Sequence, residues 1–149
     1  MATQTEYFLS THPHGTGGVD TEVWRRCIER LAACAQACTA CADACLAEPE
    51  AAELLRCVRS SLDCADICTA TERVATRRAY GAAEVLPSLL DACAAACRAS
   101  AEQCLQHAEH HEHCRICADT CRLCETSCVE LAQALRSASQ TSSAHSHGG

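Results

Sequence analysis

The segment from Cys114 to Cys128 carries cysteine at positions 114, 117, 121, 124 and 128, spaced three, four, three and four residues apart. An α-helix repeats every 3.6 residues, so this spacing gathers all five thiols into one stripe, at the a and d positions of a heptad. Arg115, Asp119, Arg122 and Glu125 fall off the stripe, and no Gly or Pro interrupts the segment. A helix written this way turns sulfur inward where Leu and Ile ordinarily go. No other feature of the chain constrains its fold as strongly.

The same stripe recurs three times. Cys27, Cys34, Cys38, Cys41 and Cys45 share one face of a helix expected from Asp20 or Thr21 to about Ala47. Glu48-Pro49-Glu50 then makes a short turn, with Pro49 suited to a first helical position. A second helix is expected from Glu50 to Ala79, stopped near Gly81, with Cys57, Cys64 and Cys68 in phase. A third opens between Ala82 and Pro87 and carries Cys93, Cys97 and Cys104. No Gly or Pro marks a turn between Cys104 and Cys114, yet an unbroken helix there would be twice as long as its partners. Length matching therefore places a turn near residues 108–112, and the fourth helix runs on to about Arg136.

Four helices of similar length, joined by short connections and each bearing one thiol face, predict an all-α fold. It is an antiparallel up-down-up-down four-helix bundle with a cysteine-lined core. Residues 19–136 make up that domain. Residues 1–18, with His12-Pro13-His14-Gly15 and Gly17-Gly18, are expected as a flexible lead-in, and the Ser/His-rich residues 137–149 as a disordered tail.

Composition narrows the chemistry. Sixteen of 149 residues are Cys, against one Trp, one Phe and two Tyr, so thiols must fill much of the core. The net charge of −7 argues against a nucleic acid or an anionic membrane as partner. No apolar run approaches membrane-spanning length. Met1 to Ser10 lacks the basic and apolar regions of a secretory signal. Arg25-Arg26 is followed by Glu29 and Arg30 within an amphipathic helix, which does not fit a twin-arginine leader. The expected compartment is the cytoplasm, where thiols stay reduced and a cysteine pattern reads as metal or redox chemistry.

Six pairs have the spacing Cys-x-x-x-Cys: 34/38, 41/45, 64/68, 93/97, 117/121 and 124/128. On a helix such a pair has its Cβ atoms roughly 5–6 Å apart. A disulfide needs about 3.5–4.5 Å, so two sulfurs clamping one ion fit better than a cross-link. Thiolates select Cu(I), zinc or iron–sulfur clusters. Structural zinc and iron–sulfur sites want four converging ligands, usually on turns or loops. Cu(I) can settle for two thiolates from one helix face. Charge points the same way: a Cu(I) ion neutralises one thiolate when every thiolate bridges two ions, which predicts about one copper per cysteine. Shared thiolates in zinc clusters would also reduce the charge, so a metallothionein-like zinc buffer stays open. So does a thiol–disulfide enzyme built on the Cys-x-x-Cys spacings 38/41, 114/117 and 121/124, although Cys38 and Cys121 are expected mid-helix and Cys114 only near an end, whereas such thiols are activated at a helix N-terminus.

The Cys-x-x-x-Cys pairs on every helix, the Pro-led second helix and the His-rich segment 107–113 resemble the bacterial copper storage proteins over about residues 20–136. The absence of a leader resembles the cytosolic branch. The resemblance implies a Cu(I) storage and buffering protein, not an enzyme, that holds multiple Cu(I) ions, limits their toxicity, returns them later and assembles as a homotetramer. It implies as ligands Cys27, Cys34, Cys38, Cys41, Cys45, Cys57, Cys64, Cys68, Cys93, Cys97, Cys104, Cys114, Cys117, Cys121, Cys124 and Cys128. Among the histidines, His107 and His110 continue the inward phase of Cys104 and Cys114 and are the favoured ligands at the bundle mouth. His111 and His113 are candidates nearer the turn. A store of this kind needs a donor of its metal, for which a copper chaperone is the candidate.

Overall fold

The computed structural model describes residues 2–77 and 82–146, apart from the side chains of 82, 83 and 141–146. Its helices are α1 (Gln4–Thr11), α2 (Thr21–Ala47), α3 (Leu55–Thr76), α4 (Ala82–Leu105) and α5 (Glu112–Ser146), with a 3₁₀ turn at Ala51–Leu54 ahead of α3. Asp20 caps α2 as expected, its side chain accepting from the Glu22 N–H. The end expected for the second helix, Ala79 with Gly81 beyond it, lies outside the described residues.

Helix direction follows from which residues meet. The Trp24 indole N–H donates to the Ala75 carbonyl (2.9 Å), so the start of α2 lies beside the end of α3. Cys57 meets Cys104 (3.5 Å), so the start of α3 lies beside the end of α4. Arg136 reaches Asp91 and Arg98 reaches Glu125, which runs α5 against α4. Arg26 to Glu130 and Arg30 to Ser127 run α5 against α2. Each of α2–α5 packs on two others around a square: α2 on α3, α3 on α4, α4 on α5 and α5 back on α2. The up-down-up-down bundle is the observed architecture.

Three local expectations change. Residues 4–11 are helical, not an extended lead-in. Thr3 and Glu6 form a capping box, and Leu9 is buried against the bundle. The left-handed turns at Gly15 (φ 60°) and Gly17 (φ 61°) then fold the chain back into α2. At the other end, α5 continues past Arg136 to Ser146. Ala134, Leu135 and Ala138 pack against the core, so burial carries the helix into a segment whose composition alone reads as a linker. Residues 147–149 of the expected tail lie outside the described residues. Finally, the first turn of the second helix is 3₁₀ rather than α. The next helix, α4, opens at Ala82 as expected, with Pro87 inside it removing one internal hydrogen bond.

The turn between α4 and α5 occupies residues 106–111, closed by His107 N–H to the Cys104 carbonyl (3.1 Å) and His111 N–H to the His107 carbonyl (2.9 Å). It lies within two residues of the expected 108–112.

Candidate metal centre

All sixteen cysteines are buried, none more than 2% exposed, and none is disulfide-bonded. The antiparallel register arranges them in levels along the bundle axis. From the far end towards the α4–α5 turn, Cys68 meets Cys93 and Cys124. Next come Cys34, Cys64, Cys97 and Cys121. Cys38 then meets Ser100 and Cys117. Cys57 and Cys104, with Ser61 against Cys104, and Cys41, Cys45 and Cys114 come last.

The sulfurs approach one another without bonding. Cys34 lies 3.9 Å from Cys64, 3.9 Å from Cys97 and 3.7 Å from Cys121. The in-helix pairs expected as clamps are also close: Cys34 to Cys38 is 3.9 Å, Cys64 to Cys68 is 3.8 Å and Cys124 to Cys128 is 4.0 Å. Yet the shortest contacts, at 3.5 Å, run between helices: Cys38 to Cys121, Cys57 to Cys104 and Cys68 to Cys93. A thiolate sits about 2.3 Å from a bound zinc ion, so on that scale two sulfurs sharing one ion stand no more than about 4.6 Å apart. Every pair just named satisfies that limit.

Several thiols belong to more than one potential ligand group. Cys34 joins Cys68, Cys97 and Cys124, and also Cys38, Cys64 and Cys121. Cys41 joins Cys45, Cys57 and Cys114, and also Cys104 and Cys117. Cys124 is shared in the same way, with Cys93 and Cys128 as its second group. Overlapping groups suit bridging sulfurs, as opposed to isolated four-ligand sites.

Charge explains why the sulfurs need metal to become thiolates together. Cys121 is drawn down to about 5 by hydrogen bonds from Cys117, Cys34 and Cys38, while Cys38 is pushed well above the thiol range by its contact with Cys117. A dry core tolerates a thiolate surrounded by S–H donors but not a row of thiolates. Filling that row with charge requires cations between the sulfurs. Cys114 stands in the first turn of α5, where the helix dipole favours a thiolate, yet burial and then Cys45 push it up to about 12. A fully buried thiol held protonated is poorly placed for disulfide exchange.

The histidine segment changes the ranking expected from the sequence. His113 Nδ1 lies 3.5 Å from Cys41 Sγ and 3.6 Å from Cys114 Sγ, and its Nε2 faces Glu48 Oε1 at 3.1 Å. His111, its side chain 9% exposed, lies between Glu48 (3.4 Å) and Glu50 (2.9 Å). His107 is half-buried and His110 exposed. Among the described residues neither ring makes a hydrogen-bond contact with a thiol. The sequence shows Glu48 and Glu50 only as turn residues, because nothing in the pattern connects them to a histidine segment more than sixty residues away. At the opposite end Trp24, Leu86 and Leu131 are buried and α1 packs against α2, so that end is filled with hydrocarbon.

A family model described as copper storage protein matches residues 20–133. The chain is 50% identical to the Streptomyces lividans copper storage protein Ccsp solved with 10 copper equivalents. That match covers 88% of this chain and 99% of the other, with a TM-score of 0.86. The same protein, described as cytosolic and solved with five coppers, is 53% identical over 75% of this chain and 93% of that one (TM-score 0.73). A histidine-to-alanine variant of it is 52% identical, covering 79% and 98% (TM-score 0.77). No curated protein matches the chain. No helix is long and apolar enough to cross a membrane among the described residues. A sulfur-lined bundle interior, a family match over most of the chain and half-identical structures that carry copper converge on one placement: this chain belongs to the copper storage protein family.

Proposed function

We propose that this protein stores Cu(I) inside its bundle, taking up about one ion per cysteine, holding it away from oxidants and returning it on demand. The observation that carries this reading is the overlap of ligand groups at Cys34, Cys41 and Cys124. A bridging sulfur divides its charge between two ions, and monovalent copper then neutralises the core one ion per thiolate. All sixteen cysteines are proposed as ligands, with residues 19–136 as the binding domain. The mouth is the end bearing His113, Cys41 and Cys114, where an imidazole Nδ1 and two thiols converge. His111 is proposed as a second mouth residue, with His107 and His110 as peripheral. The protein is proposed to reside in the cytoplasm, the location described for its Streptomyces lividans relative, and to receive its metal from a copper chaperone.

A homotetramer is proposed as well. Ile116 (50% exposed) and Leu123 (52%) lie seven residues apart on α5, and Leu55 and Leu62 repeat the spacing on α3. Such rows on the outside of a bundle are what subunit contacts cover. Sedimentation of wild type against Ile116→Arg with Leu123→Arg tests it; identical masses would remove these rows from the interface.

Anaerobic titration of reduced protein with Cu(I) against a tight competing chelator tests the storage reading. Saturation near the cysteine count supports it. Saturation at about a quarter of that count, with zinc preferred, would replace it with a zinc buffer built from four-thiolate sites.

A further inference from the structure

Two histidine rings and two carboxylates meet on the outer side of the mouth. Glu48 Oε1 lies 3.1 Å from His113 Nε2 and 3.4 Å from His111 Nδ1, so one carboxylate oxygen stands against a nitrogen from each ring. His111 Nε2 lies 2.9 Å from Glu50 Oε1, and the two ring centroids are 5.4 Å apart. Glu48 and Glu50 come from the α2–α3 turn, His111 from the α4–α5 turn and His113 from the first turn of α5. The cluster thus draws three parts of the rim together. Its donors are nitrogen and oxygen, while the sulfurs of Cys41 and Cys114 lie against the other nitrogen of His113.

That donor set differs from the interior in the metal it prefers. Imidazole and carboxylate suit borderline divalent ions such as Zn(II), whereas thiolates suit Cu(I). Ligand atoms held tetrahedrally about 2.0–2.2 Å from zinc stand roughly 3.3–3.6 Å apart. The separations of 3.1 and 3.4 Å around Glu48 Oε1 are close to that scale. Two histidines and one carboxylate, with a fourth position left open, are a ligand set that zinc uses. The remaining carboxylate takes the outer role. Glu50 accepts from His111 Nε2–H, which turns the Nδ1 lone pair of that ring towards Glu48.

We propose that Glu48, His111 and His113 form a rim site for one divalent cation of the zinc class, oriented by Glu50, and that its occupancy slows copper traffic through the mouth. The site itself is independent of the storage reading, and its effect on copper rests on that reading. His113 connects the two. A neutral imidazole carries one N–H and one lone pair. Free of the divalent ion, its Nε2–H donates to Glu48 and its Nδ1 lone pair faces Cys41 and Cys114. An ion on Nε2 takes the lone pair to that side, and the ring proton moves to Nδ1, where it donates to the sulfurs. Copper then has no imidazole lone pair to meet at the mouth, and the α2–α3 turn is cross-linked to α5. The ring keeps its one proton, and neither metal changes oxidation state.

The test uses the full chain loaded anaerobically with Cu(I), so that copper occupies the thiols, and Co(II) as the spectroscopic probe for the zinc class. Wild type is expected to take up Co(II) with the visible d–d absorption of a nitrogen–oxygen site, and Zn(II) should bleach it. Glu48→Gln should remove about one Co(II) per chain, the loss of one three-ligand site. Glu50→Gln should weaken binding by about 10–100-fold, as removal of an outer partner does. Circular dichroism verifies that both variants fold. Release of Cu(I) to a chelator that does not take Zn(II) should slow by about tenfold when zinc is added to wild type, and should ignore zinc in Glu48→Gln. Absent Co(II) binding, or binding that Glu48→Gln leaves unchanged, overturns the site. Release that ignores zinc in wild type overturns the effect on copper. A copper endpoint far below the cysteine count defeats the storage reading instead. Cobalt then also enters open thiols, seen as sulfur-to-cobalt charge transfer in the near ultraviolet, and the rim site is still read from the signal that Glu48→Gln removes.

Discussion

Glu48 Oε1 lies 3.1 Å from His113 Nε2, and the other nitrogen of that ring points between Cys41 and Cys114. A carboxylate accepting from Nε2–H fixes the tautomer, leaving the Nδ1 lone pair facing the sulfurs. The α2–α3 turn thus aims a histidine from the start of α5 into the mouth. Removing such an outer partner ordinarily costs about 10–100-fold in metal affinity or activity. Glu48→Gln is expected to slow the first phase of Cu(I) uptake by about tenfold while leaving the final copper count unchanged. Equal initial rates in stopped-flow loading would show that the ring needs no orienting partner.

The histidines should separate by position. His113→Ala is expected to slow early loading, and His111→Ala to do so less, since its ring engages two carboxylates rather than thiols. His110→Ala should behave as wild type because its ring is exposed. Rate constants for the three single variants, measured at one protein concentration, decide the order. A larger effect at His110 than at His113 would reverse the assignment.

Loading should release protons. Burial pushes Cys114 up to about 12, so this thiol is protonated at neutral pH and must lose its proton to bind. A group whose neutral form is favoured in the folded protein binds metal more tightly as pH rises. Copper affinity should therefore increase from pH 6 to pH 8, with about one proton released per Cu(I) if each thiolate bridges two ions. Titration in weak buffer with a pH indicator counts them. Two protons per metal ion would indicate unshared thiolates.

The bundle should be folded before any metal arrives. Leu31, Leu54, Leu86, Leu90 and Leu131 are fully buried, and the unliganded thiols pack as small hydrophobes. Far-ultraviolet circular dichroism is expected to change little on loading, while thermal midpoint rises. A site held at 100 times its Kd adds about 2.7 kcal/mol, or roughly 5–10 °C for a chain of this size. An unfolded apo form would mean instead that metal builds the fold.

Trp24 closes the far end. It is 3% exposed and its indole donates to the Ala75 carbonyl at 2.9 Å. Trp24→Phe should cost about 1 kcal/mol through the lost hydrogen bond. Trp24→Ala should cost about 3–5 kcal/mol, as other large core truncations do. Urea unfolding of the apo protein measures both, and equal costs would show that the indole packs without bonding.

Heptad phase by itself determined that four cysteine faces turn inward on four helices, because helical periodicity is local and survives any tertiary arrangement. It carried the bundle and its buried thiols, whereas the turn near residues 108–112 came from matching helix lengths. Where the chain leaves the helix, phase fails. Extending the registers of Cys104 and Cys114 through residues 106–111 points His107 and His110 inward, but those residues form the turn. The rotation there brings His113 to the sulfurs, and His111 to Glu48 and Glu50. The helix at residues 4–11 has its signal in the Thr3–Glu6 capping box, which the expectation of a flexible lead-in passes over, whereas the continuation of α5 past Arg136 draws on Ala138 finding the core. Only the tertiary structure decided which sulfurs meet. In-helix spacing pairs Cys34 with Cys38, but the closest contacts cross between helices. Spacing along one helix fixes direction, while distance between helices depends on how far the bundle closes. Small side chains let this bundle close until its sulfurs touch.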